Sequence, residues 1–423
     1  MSESHPDLAV VFLIQVGVML AAGLLFGQLM RKCHQPAVLG ELVGGIVLGP
    51  TVCGVFFPEI YQRLFPGEPE LVHAREVLIK IGMLFFMFVA GLEVNLSQLR
   101  KRKKAILLIS ILGCGLPFGL GVASVLLVPG LWGYSSGNWQ SNFVLFIGIA
   151  LSISALPVIA RILMDLRLLH KELGGIVLTS AAINDLLGWA LFALLLSNLT
   201  ASNLDGNLAR TLGLTFTFCL LVLGFGRWAG PVLFRWARKS LVWPSGYLAL
   251  TAILIFMSAA VAETMHIHAI FGAFLIGVAL FRVFEHKGAG QAKDVIHQFA
   301  ISLFAPIYFV SVGLKANFAI SFDLELVLLV IGIATVGKVG GAGLGAWISG
   351  IAYKEALAIG FAMNARGAME MILASIALEY GLIDQRIFVA LVTMALVTSM
   401  MSGPVLQRLL RIPRGRAGQE LSP

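Results

Sequence analysis

Apolar runs of about 20 residues follow one another along nearly the whole of this 423-residue chain. A helix needs roughly 20 apolar residues to cross the hydrocarbon core of a bilayer. The runs predict about 13 membrane helices, at 8–30, 36–55, 74–94, 104–128, 141–165, 171–197, 208–237, 245–264, 267–284, 295–314, 324–350, 354–380 and 384–410. Composition points the same way. Hydrophobic residues make up 58% of the chain and charged residues 12%, where soluble domains carry about 45–50% and about 25%. A soluble enzyme is excluded. The expected fold is an all-α polytopic membrane protein, one domain over 1–423, with a short polar tail at 411–423. No stretch remains for a second, soluble domain.

The formal charge of +8 could suggest nucleic acid, but in a membrane protein it reads as basic cytoplasmic loops. With the N-terminus outside, the inner loops and tail hold 20 Lys and Arg residues and the outer loops hold 5. That asymmetry sets N-out, C-in, and no nucleic-acid partner is expected. Cys33, Cys53, Cys114 and Cys219 lie far apart without a CxxC pair, so buried small hydrophobes are expected rather than a disulfide or a zinc site. The N-terminus has no basic segment, which argues against a cleaved signal peptide.

The chain also repeats itself. Segment 37–48, AVLGELVGGIVL, resembles 269–280, AIFGAFLIGVAL, through A-x-x-G-x-x-x-x-G-x-x-L. GLEVN at 91–95 matches GLKAN at 313–317. The paired helices are seven apart, an odd number, so they cross in opposite senses. An inverted-topology repeat of this kind is a mark of secondary transporters. The first repeat is expected over about 8–197, a linker helix over about 208–237, and the second repeat over about 245–410.

Ionisable groups near the bilayer centre are costly and usually functional. Asp185 lies mid-helix in LTSAAINDLLGW. A carboxyl group there is costly to ionise unless a cation offsets it, which is what a reversible proton or cation site needs. Asn184 beside it offers a neutral carbonyl ligand, and hard cations favour oxygen. Lys338 lies mid-helix in IATVGKVGGAGLGAW and needs an anionic partner, with Asp185 the expected one. The alternative for Lys338 is snorkelling to an interface. Arg366 and Glu370 are four apart on one helical face and can pair, either as a structural brace or as part of the transport core.

Two helices carry breaking signals. Ser152, Ser154 and Pro157 interrupt the fifth span, and Pro157 removes a backbone donor. The hydroxyls could satisfy freed backbone groups or contact an ion; a simple proline kink is the other reading. Asn364 and Gly367 flank Arg366 where the twelfth span could unwind. Half-helix ends facing a cavity are how transporters build ion sites. Glu41 and Glu93 are expected at interfaces, as is Arg161. Glu263, His266 and His268 read as a solvated outer turn, although they could sense pH or hold a metal.

With these residues in place, the chain resembles the bacterial monovalent cation:proton antiporter-2 family, which includes Kef-type and sodium/proton exchangers. The segments carrying the resemblance are LGELVGGIVLGPTVCG (39–54), FFMFVAGLEVNLSQLRK (85–101), SAAINDLLGW (180–189), FGAFLIGVAL (271–280), PIYFVSVGLKANF (306–318), GKVGGAGLGAWISG (337–350) and NARGAMEMILASIALEYGLI (364–383). The resemblance implies a 13-helix homodimer with a dimerisation domain, a mobile core and two discontinuous helices that cross at the ion site. These would be the fifth and twelfth spans, with Asp185 as the ion-binding aspartate and Lys338 as the core lysine. Many electrogenic relatives carry Asp-Asp where this chain has Asn184-Asp185. Kef-type members append a cytosolic nucleotide-binding domain, and that regulation is not expected from this chain alone. The expected activity is exchange of Na+ or K+ for H+ in a bacterial inner membrane, without a cofactor. A channel-like potassium efflux protein is the alternative, and an intramembrane enzyme lacks any motif.

Overall fold

The computed structural model describes residues 8–33, 35–92, 102–133, 141–166, 168, 171–200, 208–242, 245–265, 267, 269–285 and 290–410. Among these residues all regular structure is helical. The helices are α1 (Leu8–Lys32), α2 (Ala37–Leu48), α3 (Cys53–Phe56), α4 (Pro58–Leu64), α5 (Pro69–Leu92), α6 (Lys103–Leu127), α7 (Ser141–Ser152), α8 (Leu156–Asp165), α9 (Glu172–Thr200), α10 (Leu208–Ser240), α11 (Ser245–Thr264), α12 (Ala269–Glu285), α13 (Gly290–Phe299), α14 (Ala305–Lys315), α15 (Phe318–Ser321), α16 (Leu324–Ile348), α17 (Tyr353–Met363), α18 (Ala368–Glu379) and α19 (Gln385–Leu409). Nine helical stretches among the described residues are long and apolar enough to cross a membrane, and Ser141–Ser152 and Ala269–Phe284 are shorter apolar helices. The chain is therefore a multi-pass membrane protein.

Some expected spans are divided. The helix expected over 36–55 stops at Leu48 and turns through Gly49–Val52 before α3, because Pro50 cannot donate to the helix ladder. Thr51 fastens this turn, donating to Ala316 O (2.9 Å) and accepting from Phe318 N (3.0 Å). The helix expected over 295–314 begins earlier and passes through a π turn at Ala300–Phe304 between α13 and α14. The turn directly precedes Pro306, whose ring would crowd an uninterrupted α-helix.

The chain forms two compact units, residues 1–95 with 193–320 and residues 96–192 with 321–423. In the first, α2 packs on α14 and α5 on α12. A Cβ on Gly45 would lie 2.1 Å from Val310 O and 2.8 Å from Gly313 Cα. One on Gly277 would lie 2.2 Å from Phe88 O and 3.1 Å from Gly91 Cα. The sequence repeat pairs Gly45 with Gly277 and Gly91 with Gly313, so these are one helix crossing built twice. A third pair follows the same rule. A Cβ on Gly40 of α2 would strike Phe26 O of α1 at 2.1 Å, and one on Gly272 of α12 would strike Ser258 O of α11 at 2.5 Å. Backbone contact this close is available only to glycine, and small residues let membrane helices approach.

In the second unit α6 runs along α16. Gly337, Gly341 and Gly345 recur every four residues and so line one face of α16. A Cβ at these positions would meet Pro117 Cα at 2.7 Å, Leu112 O at 2.2 Å and Leu108 O at 2.5 Å. Asp323 caps the start of α16 by accepting from Leu326 N (3.1 Å), and Arg386 at the start of α19 donates to the same carboxylate (3.0 Å).

Candidate ion site

Two helices of the second unit are broken where the sequence suggests. Between α7 and α8, residues Ile153–Ala155 leave the helical path; between α17 and α18, residues Asn364–Gly367 do so. The breaks are stitched together, since Ala155 N donates to Ala365 O (3.0 Å). Pro157 is not in the gap. It is the second residue of α8, a position whose N–H would have no helical acceptor in any case. It therefore favours restarting a helix, which corrects its expected place as the interruption itself. Gly367 is required for space, because a Cβ there would lie 2.7 Å from Val158 Cγ2.

The last carbonyls of a helix lack intrahelical donors and carry partial negative charge. At the end of α7 each of three consecutive carbonyls receives a cation. Arg366 donates from Nη1 to Ala150 O (2.9 Å) and from Nη2 to Leu151 O, and Lys338 Nζ donates to Ser152 O. Arg366 and Lys338 are both fully buried. Glu370 meets Arg366 Nη1 at 3.4 Å, and it lies in the first turn of α18, where a carboxylate is favoured. Ser399 of α19 holds the backbone of Arg366 on both sides. It accepts from Arg366 N (3.1 Å) and donates to Arg366 O.

Asp185 is 1% exposed. Its carboxyl group takes a backbone hydrogen bond from Leu156 at the start of α8, so it faces the positive end of that half-helix. Lys338 does not pair with it. With the Asn184 amide oriented to satisfy both its groups, Asn184 accepts from Lys338 Nζ (3.1 Å) and donates to Ser110 O (3.0 Å). The expected Lys338–Asp185 ion pair is thus replaced by a carbonyl and an amide, because the dehydrated end of α7 needs a donor more than the already bonded carboxyl does. Asn184 is correspondingly engaged and not an open ligand. The Ser152 hydroxyl is spent on its own helix, donating to Ile149 O (2.8 Å).

Six buried polar atoms in or beside the breaks have no partner among the described residues: Asp185 Oδ1, Ser154 Oγ, Glu370 Oε2, Arg366 Nε, and both Oδ1 and Nδ2 of Asn364. Unsatisfied buried groups in a folded protein call for an explanation. Four of these six atoms are oxygens, the ligand type that hard cations take. Sequence reasoning treats Asn364 only as a helix breaker, and its buried, unengaged amide appears only in the fold. It also misses Ser110 and Ser399, and the carbonyls of Ala150 and Leu151, which carry no side-chain signal.

Other expectations meet the structure as follows. Glu41 is 6% exposed, with Oε2 unpartnered among the described residues. It is packed inside its unit, because the glycine-mediated crossings draw α2 against its neighbours. Glu263 is exposed and accepts from Ala269 N (2.8 Å), as a solvated turn requires. Glu93, His266, His268 and the 411–423 tail lie outside the described residues, as does the Arg161 side chain. The four cysteines are free; Cys114 is buried and Cys33 is exposed at the end of α1, which corrects the expectation that all four are buried.

An all-helical membrane protein whose two broken helices meet among buried carboxyl, amide and hydroxyl groups has the architecture of a secondary ion transporter. The chain belongs to the sodium/hydrogen exchanger transmembrane family, whose model matches residues 16–412. It is 33% identical over 416 residues to Cation/H(+) antiporter 18 of Arabidopsis thaliana, covering 96% of this chain and 50% of that protein. It is 31% identical over 419 residues to Na(+)/H(+) antiporter NhaS4 of Synechocystis, covering 96% and 99%. The chain spans about half the length of the Arabidopsis relatives it matches. Its fold is similar to that of the sodium proton antiporter MjNhaP1 of Methanocaldococcus jannaschii, with a TM-score of 0.67 at 14% identity, over 96% of this chain and 99% of that one.

Proposed function

We propose that the chain is an antiporter exchanging Na+ or K+ for H+ by alternating access, with Asp185 as the carboxyl group that both ions share. The observation carrying this reading is the buried, unpartnered Asp185 Oδ1 at the start of α8. Ser154 and Asn364 are the further candidate ligands. Lys338, Arg366 and Glu370 hold the broken helices and tune the site electrostatically. The names of the relatives, Na(+)/H(+), K(+)/H(+) and cation/H(+) antiporters, support the pair of ions exchanged. Thirteen crossings, an outside N-terminus and a cytoplasmic C-terminus in a bacterial inner membrane complete the proposal. It works as a homodimer, and α1 suits the contact because it exposes Leu13, Ile14, Leu24 and Leu25.

The test is Asp185→Asn, nearly isosteric and uncharged. In proteoliposomes it abolishes proton flux driven by either cation while the protein still purifies folded. Substantial cation-driven proton flux in that variant rejects Asp185 as the shared site. Conduction without proton coupling in the unaltered protein would favour the channel reading.

A further inference from the structure

The second unit also holds an open cavity of about 440 Å³ at the starts of α6, α9 and α17. Three consecutive basic side chains, Arg102, Lys103 and Lys104, line it, together with Glu172 and Glu355. Arg102 is engaged, its Nε paired with Glu172 Oε1. Lys103 and Lys104 are exposed and join no ion pair among the described residues. Neither carboxylate therefore neutralises them, and two ammonium groups one residue apart repel.

The backbone adds charge of the same sign. The first turn of α6 holds these two lysines and no acidic residue, and its N-cap, Arg102, supplies no side-chain hydrogen bond. Helix starts carry partial positive charge and favour acids, so basic residues here work against the helix. An anion with several acceptor oxygens removes both penalties. Phosphate does so for Lys103 and Lys104 together, and the cavity is far larger than a phosphate group. Arg102–Lys104 belong to the loops that the Lys and Arg asymmetry places on the cytoplasmic side. Basic pockets between helices on that side take anionic lipid headgroups.

We propose that this cavity binds a phosphate group through Lys103 and Lys104, presented by the headgroup of an anionic phospholipid or as free phosphate. The site is separate from Asp185, and the inference does not depend on which ions the protein exchanges. Occupancy would brace α6, α9 and α17, which line the cavity together with the turn that follows α16. Of these, α9 carries Asp185.

Thermal unfolding of the purified full chain in neutral detergent tests this. Phosphatidylglycerol is expected to raise the Tm saturably by a few degrees, and phosphatidylcholine is not. The rise is lost in Lys103→Gln/Lys104→Gln, kept in Lys103→Arg/Lys104→Arg, and kept in Arg238→Gln/Lys239→Gln, which neutralises an exposed basic pair elsewhere. Inorganic phosphate at millimolar concentration identifies the source. A matching rise that the Gln variant abolishes assigns the site to free phosphate, and a rise with the lipid alone assigns it to headgroups. No rise with either ligand, an unchanged rise in the Lys103/Lys104 Gln variant, or an equal loss in the Arg238/Lys239 variant overturns the proposal.

Discussion

Lys338 Nζ rests on the backbone carbonyl of Ser152, the last residue of α7, and not on the carboxyl group of Asp185. The mid-membrane lysine is thus a helix cap. It supplies positive charge where α7 ends in dehydrated carbonyls, and Asn184 holds it from the other side. The carboxyl group keeps one oxygen unengaged.

Lys338→Ala should therefore lower thermal stability. It strips the Ser152 carbonyl of its donor, and a buried polar group without a partner costs about 1–3 kcal/mol. It should also shift the pH profile of exchange, because a buried positive charge near the site disappears. Unchanged melting, activity and pH dependence in this variant would show that Lys338 neither caps α7 nor tunes the site.

Arg366→Ala should be more damaging than Glu370→Gln. The arginine side chain serves two carbonyls and one carboxylate. Its loss leaves Glu370 buried and unpaired, at a cost of about 3–5 kcal/mol. Adding Glu370→Gln to Arg366→Ala should recover part of that loss but not the carbonyl contacts. Melting temperatures of the two single variants and the double variant measure the split, and additive losses would deny the coupling.

Gly45→Val and Gly277→Val should both prevent correct packing of the first unit, and to a similar degree. In each case the first added carbon would sit within about van der Waals overlap of a carbonyl oxygen, at 2.1 and 2.2 Å. Gly17→Ala is the control, since nothing lies within 4 Å of a Cβ there. Yield of monodisperse protein and Tm report the effect. Tolerance of valine at one site but not the other would break the equivalence of the two crossings.

Exchange should be electroneutral, one cation for one proton. Protonated Asp185 is neutral, and ionised Asp185 holding a monovalent cation is neutral too. Asn184 adds no second carboxylate, and Lys338 is held by a carbonyl and an amide. A membrane potential, worth about 2.3 kcal/mol per charge per 100 mV, then has no net charge to act on. Proteoliposomes at clamped potential check this. A reversal point that moves with voltage would mean that a second group, Lys338 first among them, gives up a proton when the cation binds.

The all-α membrane fold was legible in the sequence because each crossing must satisfy its own backbone, so every span leaves an apolar run of fixed length. The repeat was legible because the two crossings it encodes need glycine at the same steps. Asp185, Lys338, Arg366 and Glu370 stood out because charge within an apolar run is costly enough to be rare. Tertiary structure alone decided whom those charges serve. Backbone carbonyls are identical at every residue and leave no mark in sequence, so nothing pointed to Ala150, Leu151 and Ser152 as the partners of Arg366 and Lys338. The same holds for Pro157, which starts α8 instead of breaking α7, and for Asn364, whose amide is left open. Each depends on where two broken helices end relative to one another, and that distance is set only when the helices pack.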